Sequence, residues 1–278
     1  MSAETIPIFV VGSGRSGTRA IYKLLSGVPG IEIYHEYLCT HIQQAAALYF
    51  MRVITREEVK QRIRELHGAA IYYSKASRWI DCSNKLTWII EPLVELFPQA
   101  RFLNLVRDGR KVASSYVHKL SDEMYDDESV RILREWLVDR TGRPMPPPEK
   151  KYWWNIPQPG QPFAEEFPHF NQFQRACYQW REANRVALES LQHVPTAQQL
   201  TVRLEDLTSD REVLRRFLAF CDVPYDEHFF ELLQTPQNVI FPMDFPLTAE
   251  ERAQFEAIAG DMMERLGYVG REEYAVVY

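Results

Sequence analysis

The first hydrophobic segment of the chain, from Ile6 to Val11, is a short run of apolar and mostly β-branched residues. Such a run predicts a strand that is buried on both faces. Glycines follow at once, and the apolar residues after them return with the spacing of a helix. A strand, a glycine-rich turn and a helix in this order aim backbone N–H groups at an anion. We therefore predict an anion-binding cradle in this turn. Its side-chain donors are Arg15, Ser16, Thr18 and Arg19.

The same order of elements recurs between Arg101 and Leu120. A predicted strand ends at Val106, Arg107 follows it, and the next helix carries Ser115. Two parallel strands that each end at an anion site suit a nucleotide that is phosphorylated at both its 5′ and its 3′ position.

Strands and helices alternate along most of the chain. The pattern predicts a second strand at 31–36 and two helices within 40–67, divided near Thr55, where the sequence TREE forms a capping box. Further strands are predicted at 79–83 and 200–204, and further helices at 87–97, 129–139, 171–191, 210–221 and 249–266. This alternation favours an α/β fold in one domain over residues 1–278, with a central, mainly parallel sheet flanked by helices.

The segment 142–168 departs from this alternation, because it is rich in proline and has no periodicity. Loops of this length are often lids or binding loops. Trp153 and Trp154 could line an acceptor pocket there, or they could pin the loop to the surface of the protein.

Composition and charge narrow the class of protein. The chain of 278 residues is 46% hydrophobic and has a net charge of −6, which argues against nucleic-acid partners. No apolar run is long enough to span a bilayer, and the N-terminus has no basic region typical of a signal peptide. The four cysteines are scattered, with no spacing typical of a metal site. We expect a cytoplasmic protein with reduced thiols, no metal, no membrane partner and a small-molecule substrate.

Two known phosphate-binding patterns compete for the first turn. Gly12, Gly14 and Gly17 match the dinucleotide fingerprint, with Glu32 or Glu36 near the position of its ribose-binding acid. The Walker pattern fails, because Thr18 occupies the position of its lysine. A glycine turn without a ligand is the third interpretation.

Two motifs, GSGRSGT and LVRDGRKVASS, resemble the nucleotide-binding motifs of the sulfotransferases that use 3′-phosphoadenosine 5′-phosphosulfate (PAPS). Arg107 and Ser115 have the spacing of the second motif. The pair Asn84-Lys85, the sequence VRLEDL and a late ERLGY extend the likeness over about residues 6–268. The chain is most similar to the tyrosylprotein and bacterial branch, which has Arg where the cytosolic sulfotransferases have Lys.

The resemblance implies a P-loop-like sulfotransferase fold, PAPS as the donor, adenosine 3′,5′-bisphosphate as the product, and no metal. It places Arg15, Glu36 and Lys85 in catalysis, with Glu36 as the base. The implied cofactor-binding residues are Gly14, Arg15, Ser16, Gly17, Thr18, Arg19, Arg107, Ser115, Arg203 and Thr235. Two residues depart from the pattern of the branch: Phe241 stands where it has Lys, and Arg19 replaces a usual Thr.

Simpler interpretations stay open for several of these residues. Glu36 could be an ordinary solvated or salt-bridged glutamate, and Lys85 a surface lysine. His35 and His118 are rival bases. Trp180 could pack on an adenine, although a core position fits its amphipathic helix better, and Glu205 with Asp206 could cap the following helix.

The sequence thus predicts a sulfotransferase that acts on a hydroxyl or amine of a small metabolite. Three alternatives remain: a nucleotide or metabolite kinase of related fold, a non-catalytic nucleotide-binding module, and an NAD-linked oxidoreductase. The acceptor and the oligomeric state cannot be read from the sequence.

Overall fold

The structure, a computed structural model, describes residues 5–120, 124–234 and 246–271. The strands are β1 (Ile6–Val11), β2 (Ile31–His35), β3 (Arg78–Cys82), β4 (Arg101–Val106) and β5 (Gln199–Arg203). The helices are α1 (Thr18–Leu25), α2 (Cys39–Phe50), α3 (Arg56–Ile63), α4 (Ala69–Tyr73), α5 (Ile90–Leu96), α6 (Gly109–Leu120), α7 (Asp127–Val138), α8 (Gln172–Leu191), α9 (Leu204–Ser209), α10 (Arg211–Phe220), α11 (Glu227–Gln234) and α12 (Ala249–Arg265).

The five strands form one parallel sheet in the order β2-β3-β1-β4-β5. β1 lies at the centre, and its residues pair with β3 on one side and with β4 on the other. Because all strands run the same way, their carboxyl ends meet at one edge, where open α/β sheets place their sites. The predicted α/β fold with a mainly parallel sheet is confirmed.

Apolar residues cover both faces of the sheet. Phe9 and Val11 of β1 join a large core with the helices around α8, whereas Ile8 and Val10 join a second core with α1 and α10. This alternation explains why β1 is an unbroken apolar run, since a strand covered on both faces has no polar side.

Most of the predicted elements form, with ends shifted by a few residues. Thr55 caps α3 in the predicted capping box. The predicted helix at 87–97 is wrong in its first part, because residues Asn84–Ile89 form a 3₁₀ helix and α5 starts only at Ile90. Ile89 has a non-helical backbone (φ −133°, ψ 26°), which separates the two. The sequence analysis did not predict the short helices α4, α9 and α11.

The segment 142–168 packs over α2, where Gln43 donates hydrogen bonds from Nε2 to the carbonyl oxygens of Lys150 (3.1 Å) and Trp153 (2.7 Å). The indole of Trp153 donates to the carbonyl of Pro147 (2.7 Å) and packs edge-on against Trp136. Trp153 therefore pins the segment, as one of the two interpretations expected.

Candidate active site

The turn after β1 has the backbone of an anion cradle. Gly12 (φ 134°) and Gly17 (φ 105°) have positive φ angles, and so does Arg15 (φ 64°), a conformation that side-chain-bearing residues rarely adopt. Gly17 is the N-cap of α1, so the helix begins where the turn ends. The first N–H groups of a helix have no partner within it and carry partial positive charge, which suits an anion.

Side chains from other elements hold this turn in place. The hydroxyl of Thr87 lies 2.8 Å from both the N–H and the carbonyl oxygen of Gly12, accepting from the first and donating to the second. Gly14 lies against Tyr116 and Asn84, since a Cβ added to it would come within 1.8 Å of the Tyr116 hydroxyl. The sequence analysis assigned no role to Thr87 or Tyr116, because no spacing links them to the cradle.

The second motif meets the first at the ends of β1 and β4. Arg107 donates from Nη1 to the carbonyl oxygen of Arg15 (3.0 Å), and Arg15 donates from Nε to the hydroxyl of Ser115 (2.9 Å). Burial lowers the pKa of Arg15, and the positive charge of Arg107 lowers it further. Two neighbouring guanidinium groups, one of them with a pKa lowered by burial, suit an anion.

Trp180 supports the second motif from the core. Its indole donates to the carbonyl oxygen of Arg107 (3.0 Å), and its ring lies against Gly109, where an added Cβ would approach within 2.7 Å. The side chain is completely buried. The core interpretation of Trp180 is therefore confirmed.

Glu36 and Lys85 form an ion pair beside the cradle. Lys85 donates from Nζ to Oε1 of Glu36 (2.9 Å) and to Oδ1 of Asn84 (2.6 Å). Lys85 is only 5% exposed, so its interpretation as a surface lysine is wrong. Glu36 is the salt-bridged glutamate that one interpretation allowed.

The charges around this pair shift both pKa values. Burial by itself raises the pKa of Glu36, but the positive charges of Lys85 and Lys150 and the hydrogen bond from Lys85 outweigh it and lower the pKa to about 2. Burial also lowers the pKa of Lys85, which the charge of Glu36 opposes. The negative charge of Glu36 acts on Arg15 as well, so the ion pair and the cradle belong to one electrostatic cluster.

A buried Asp–His pair holds the turn that carries Glu36. Asp81 accepts a hydrogen bond from the N–H of Tyr37 (3.1 Å), and its other oxygen lies 3.1 Å from Nε2 of His67. Glu36 itself has a left-handed backbone (φ 58°), and its N–H donates to the carbonyl of Cys82 (3.2 Å). A signal for this support was present in the sequence, since Asp81 is a lone carboxylate in an otherwise apolar strand end.

The two rival histidines lie in different places. His35 is the last residue of β2, and its Nε2 lies 3.4 Å from the hydroxyl of Thr18 in the cradle. Burial lowers the pKa of His35. His118 is exposed on α6, with Nδ1 2.9 Å from the carbonyl oxygen of Ser114 in its own helix.

Arg203, another predicted cofactor residue, bonds to the C-terminal part of the chain. Arg203 donates to the carbonyl of Leu266 from Nε (3.0 Å) and Nη2 (2.7 Å), and to Asp206 from Nη1. Arg19 is exposed in the first turn of α1. Thr235 and the departure at Phe241 lie outside the described residues. Cofactor contacts of Arg19, Arg203 and Thr235 stay predictions.

The expectation that Glu205 and Asp206 cap a helix is wrong. Both lie in the first turn of α9, whose N-cap residue makes no side-chain capping bond. Glu205 instead accepts from the N–H of Asp108 (2.8 Å) in the second motif and from the hydroxyl of Tyr268 (2.8 Å). Asp206 bonds to Arg203 and Arg271.

Potential metal ligands are not clustered in the described residues, where no group of three or more His, Cys, Asp or Glu side chains could hold an ion. The four cysteines, all in this part of the chain, are free thiols. No helix there combines the length and the apolar character that crossing a bilayer requires.

The two motifs of the sequence analysis meet at the carboxyl edge of the parallel sheet. The model of the sulfotransferase family matches residues 7–143, a range that contains both motifs, Glu36 and Lys85. This matched part of the chain, which carries the candidate site, belongs to the sulfotransferase family.

Several solved sulfotransferase structures are similar to this chain. Sulfotransferase STF9 from Mycobacterium avium is 13% identical, with a TM-score of 0.50 over 94% of this chain and 77% of that one. The sulfotransferase domain from the curacin biosynthetic pathway is 16% identical (TM-score 0.49; 97% and 99% covered), and a sulfotransferase from Alicyclobacillus acidocaldarius is 14% identical (0.48; 96% and 96%). No curated protein sequence matches the chain.

Proposed function

We propose that this protein is an enzyme that transfers the sulfonate group of PAPS to a hydroxyl or amine of a small acceptor and releases adenosine 3′,5′-bisphosphate. The observation that carries the proposal is the contact between the two motifs, in which Arg107 bonds to the backbone of Arg15 and Arg15 bonds to Ser115. A nucleotide with anionic groups at both ends needs two such sites at a fixed separation.

The residues present suit this cofactor. The amides of Ser16, Gly17 and Thr18, together with Arg15, hold the 5′-phosphosulfate, and Arg107 with Ser115 holds the 3′-phosphate. When bound, PAPS supplies the sulfonate: the bond from sulfur to the 5′-phosphate oxygen breaks as the bond to the acceptor oxygen or nitrogen forms, and the bonding electrons leave with the bisphosphate. Arginine is always protonated, so Arg15 stabilises charge and moves no proton.

Glu36 is the proposed base. Its pKa of about 2 keeps it ionised at neutral pH, so its carboxylate is able to accept the proton of the acceptor. Lys85 has three N–H donors, of which Glu36 and Asn84 take two. The third is left for an oxygen of the transferred group, and any pull of the ammonium away from Glu36 raises the pKa of the carboxylate and makes it a stronger base.

A kinase is less well supported. Thr18 stands where a kinase of the Walker type needs its lysine. A kinase also needs a carboxylate after a strand to hold magnesium. Asp108, which follows β4, is buried and pairs through both carboxylate oxygens with Arg110 (3.0 and 2.7 Å).

An NAD-linked enzyme is less well supported as well. Glu32 lies near the start of β2, where it accepts from the hydroxyls of Tyr34 (2.5 Å) and Ser74 (2.6 Å). The cradle follows the carboxyl end of β1, and β2 runs in the same direction as β1. Glu32, near the start of β2, therefore lies at the opposite end of the strands from the cradle. The other candidate for the ribose-binding acid, Glu36, is paired with Lys85.

Calorimetric titration with adenosine 3′,5′-bisphosphate tests the donor site, with AMP, ATP plus magnesium, and NAD as competitors. We expect metal-independent binding that is at least tenfold tighter than that of AMP, and we expect Arg107→Ala to abolish this preference. Arg216→Ala, an exposed arginine on α10, is the matched control and keeps it. No preference over AMP would sink the proposal, and a preference for ATP with magnesium would favour the kinase.

The variant Glu36→Gln distinguishes an enzyme from a protein that only binds the nucleotide. We expect this variant to bind the bisphosphate as the wild type does and to lose sulfonate transfer from PAPS by at least a hundredfold. Equal binding with no transfer by either protein, over a broad set of hydroxyl and amine acceptors, indicates a non-catalytic nucleotide-binding module. The small-molecule acceptor and the cytoplasmic location are part of the proposal, and the free thiols are consistent with a reducing compartment.

A further inference from the structure

Tyr116 lies where the parts of the candidate site meet. It follows Ser115 on α6, and its side chain is only 2% exposed. Its hydroxyl lies against Gly14 of the cradle, since a Cβ added to Gly14 would come within 1.8 Å of it. The same added atom would come within 2.5 Å of Nδ2 of Asn84. The cradle, α6 and the 3₁₀ helix that carries Lys85 therefore meet at the Tyr116 hydroxyl.

Asn84 connects this meeting point to the ion pair. Its Oδ1 accepts from Nζ of Lys85 (2.6 Å), and Lys85 also donates to Glu36 (2.9 Å). An ammonium group only donates, so the end of the Asn84 carboxamide that faces Lys85 must be the oxygen. The other end, Nδ2, is then the one that lies beside Gly14 and the Tyr116 hydroxyl. One carboxamide thus links the cradle and α6 to the lysine.

The Tyr116 oxygen faces this amide as an acceptor. Burial raises the pKa of Tyr116, and the positive charge of Arg15 opposes this rise. The amides of Asn84 and Gly14 oppose it too, as donors to the oxygen. The hydroxyl makes no well-aligned hydrogen bond to any described residue. A buried hydroxyl without a partner is unfavourable, which favours conformations in which the Asn84 amide donates to it.

The segment 142–168 holds the ring of Tyr116. Trp154 packs edge-on against this ring, with the centroids 6.4 Å apart and an angle of 88° between the planes. Trp154 is itself buried and also packs on Tyr125, with the centroids 5.0 Å apart. Because its ring is held in this way, Tyr116 offers the Asn84 amide an acceptor at a defined position.

Resting on the proposed function, we infer that Tyr116 is a positioning residue, which acts through the Asn84 amide to fix the Lys85 ammonium relative to a donor in the cradle. Its hydroxyl transfers no proton. Without this hydroxyl, the Asn84 amide loses the acceptor that orients it, and Lys85 is held less firmly beside Glu36. Such a change affects the transfer step and leaves the binding of the nucleotide intact.

Tyr116→Phe tests this role, because it keeps the ring and removes only the hydroxyl. The assay measures sulfonate transfer from PAPS to an acceptor of the hydroxyl and amine set. We expect kcat to fall about fivefold or more, while the affinity for adenosine 3′,5′-bisphosphate stays within about twofold of the wild type. A general loss of structure would not produce this separation of kcat from binding.

Tyr178→Phe on α8 is the matched control. Tyr178 is also buried, and its hydroxyl makes no hydrogen bond to any described residue. Its ring packs against Phe163 and Phe167. The same chemical change in a similar environment should therefore alter neither kcat nor bisphosphate affinity.

A double-mutant cycle shows whether Tyr116 acts through Asn84. We expect Asn84→Ala to lower kcat at least as much as Tyr116→Phe does. The double variant should then be slower than Asn84→Ala by no more than about twofold, because the hydroxyl has no amide left to orient.

The nitrogen NMR signal of the Lys85 ammonium, identified by its loss in Lys85→Met, is a second readout that needs no acceptor. With bisphosphate bound, we expect this signal to shift or broaden in Tyr116→Phe and to stay unchanged in Tyr178→Phe.

Several outcomes overturn the inference. These are an unchanged kcat in Tyr116→Phe, a loss of bisphosphate affinity as large as the loss in kcat, or losses that multiply in the double variant. If the wild type binds no bisphosphate or transfers no sulfonate, the proposed function fails. The Lys85 signal then tests the positioning role by itself, and an unchanged signal in Tyr116→Phe overturns it.

Discussion

Glu36 and Lys85 depend on each other more than an exposed ion pair does. Lys85 is almost fully buried and the side chain of Glu36 is 22% exposed, so removal of either partner leaves a poorly solvated charge. We expect Lys85→Met to lower the free energy of unfolding by about 3 kcal/mol. We also expect the double variant Lys85→Met/Glu36→Gln to lose at least 1 kcal/mol less unfolding free energy than the two single variants lose together.

Urea unfolding of the four proteins at pH 7 measures this coupling. The pairing would be contradicted if the losses of unfolding free energy in the two single variants add up to the loss in the double variant to within about 0.5 kcal/mol. Arg131→Met with Glu135→Gln, a more exposed pair on the surface of α7, is the matched comparison, and its coupling is expected to be smaller.

The same pair predicts how stability depends on pH. The folded pKa of Glu36, about 2, lies below its ordinary value of 4.5. The stabilising contribution of a group with a lowered pKa is complete above the ordinary value and is lost as the pH falls through the folded one. Between pH 6 and pH 3 the wild type should therefore lose about 2 kcal/mol more unfolding free energy than Glu36→Gln does.

Unfolding curves at the two pH values check this difference. Glu166→Gln, on the exposed part of the segment 142–168, serves as the control and should follow the wild type. An equal loss in the wild type and in Glu36→Gln would show that Lys85 does not hold the carboxylate ionised.

At the residue scale, the sequence analysis predicted the site residues that follow strand ends. It missed the residues of other elements that support the site through hydrogen bonds. Glu36 and Lys85 follow β2 and β3, so their convergence at one edge could be expected from a parallel sheet. Thr87 and Asp81 support the same site through hydrogen bonds to backbone groups of other segments. Such contacts depend on the packing of the elements: the lone carboxylate of Asp81 in an apolar strand end is a sequence signal, but it does not indicate the partner.

At the scale of elements, the cradle depends on close packing between the first turn and α6. A Cβ on Gly14 would meet the Tyr116 hydroxyl at 1.8 Å and the Asn84 amide at 2.5 Å. We expect Gly14→Ala to destabilise the protein by about 1–3 kcal/mol and to weaken bisphosphate binding. Tyr116→Phe in the same chain removes the closest clash and should restore part of both.

Thermal unfolding and calorimetry of the single and double variants measure this effect. Gly68→Ala is the matched control, because the nearest atom to an added Cβ there is 3.9 Å away and the backbone is helical. This control should be neutral or slightly stabilising. A Gly14→Ala variant with unchanged stability and binding would contradict the close approach.

The elements themselves were predictable where the local signal is strong. The apolar run of β1 and the capping box at Thr55 both formed as expected. The 3₁₀ helix at Asn84–Ile89 was not predicted. The contacts that accompany it, from Lys85 to Glu36 and from Thr87 to Gly12, are tertiary and leave no local sequence pattern. The loop at 142–168 has no periodicity, so its path over α2 could not be foreseen.

At the scale of the whole molecule, the sheet joins segments that are far apart along the chain into one site. Its order β2-β3-β1-β4-β5 sets Glu36, Lys85, the cradle and Arg107 along one edge. The order of the strands could not be read from the sequence, since the alternation of elements is the same for several doubly wound topologies. The far end of the chain also reaches this edge through Tyr268, which lies after α12.

The contact of Tyr268 predicts a long-range effect on the 3′-phosphate site. Its hydroxyl donates to Glu205 (2.8 Å), whose other oxygen accepts from the N–H of Asp108, the residue after Arg107. Burial raises the pKa of Glu205, and this hydrogen bond is among the contacts that oppose the rise. Tyr268→Phe leaves the carboxylate short of a partner, so we expect a loss of about 1 kcal/mol in stability.

Because Glu205 bonds to the backbone of the second motif, the same variant should weaken adenosine 3′,5′-bisphosphate binding about three- to tenfold and leave AMP binding unchanged. Calorimetry with both nucleotides measures this selectivity, and Tyr73→Phe, an exposed tyrosine at the end of α4, is the control. An equal weakening for the two nucleotides would mean that Tyr268 acts on the fold as a whole. A loss confined to the bisphosphate would mean that the C-terminal part of the chain helps to position Arg107 for the 3′-phosphate.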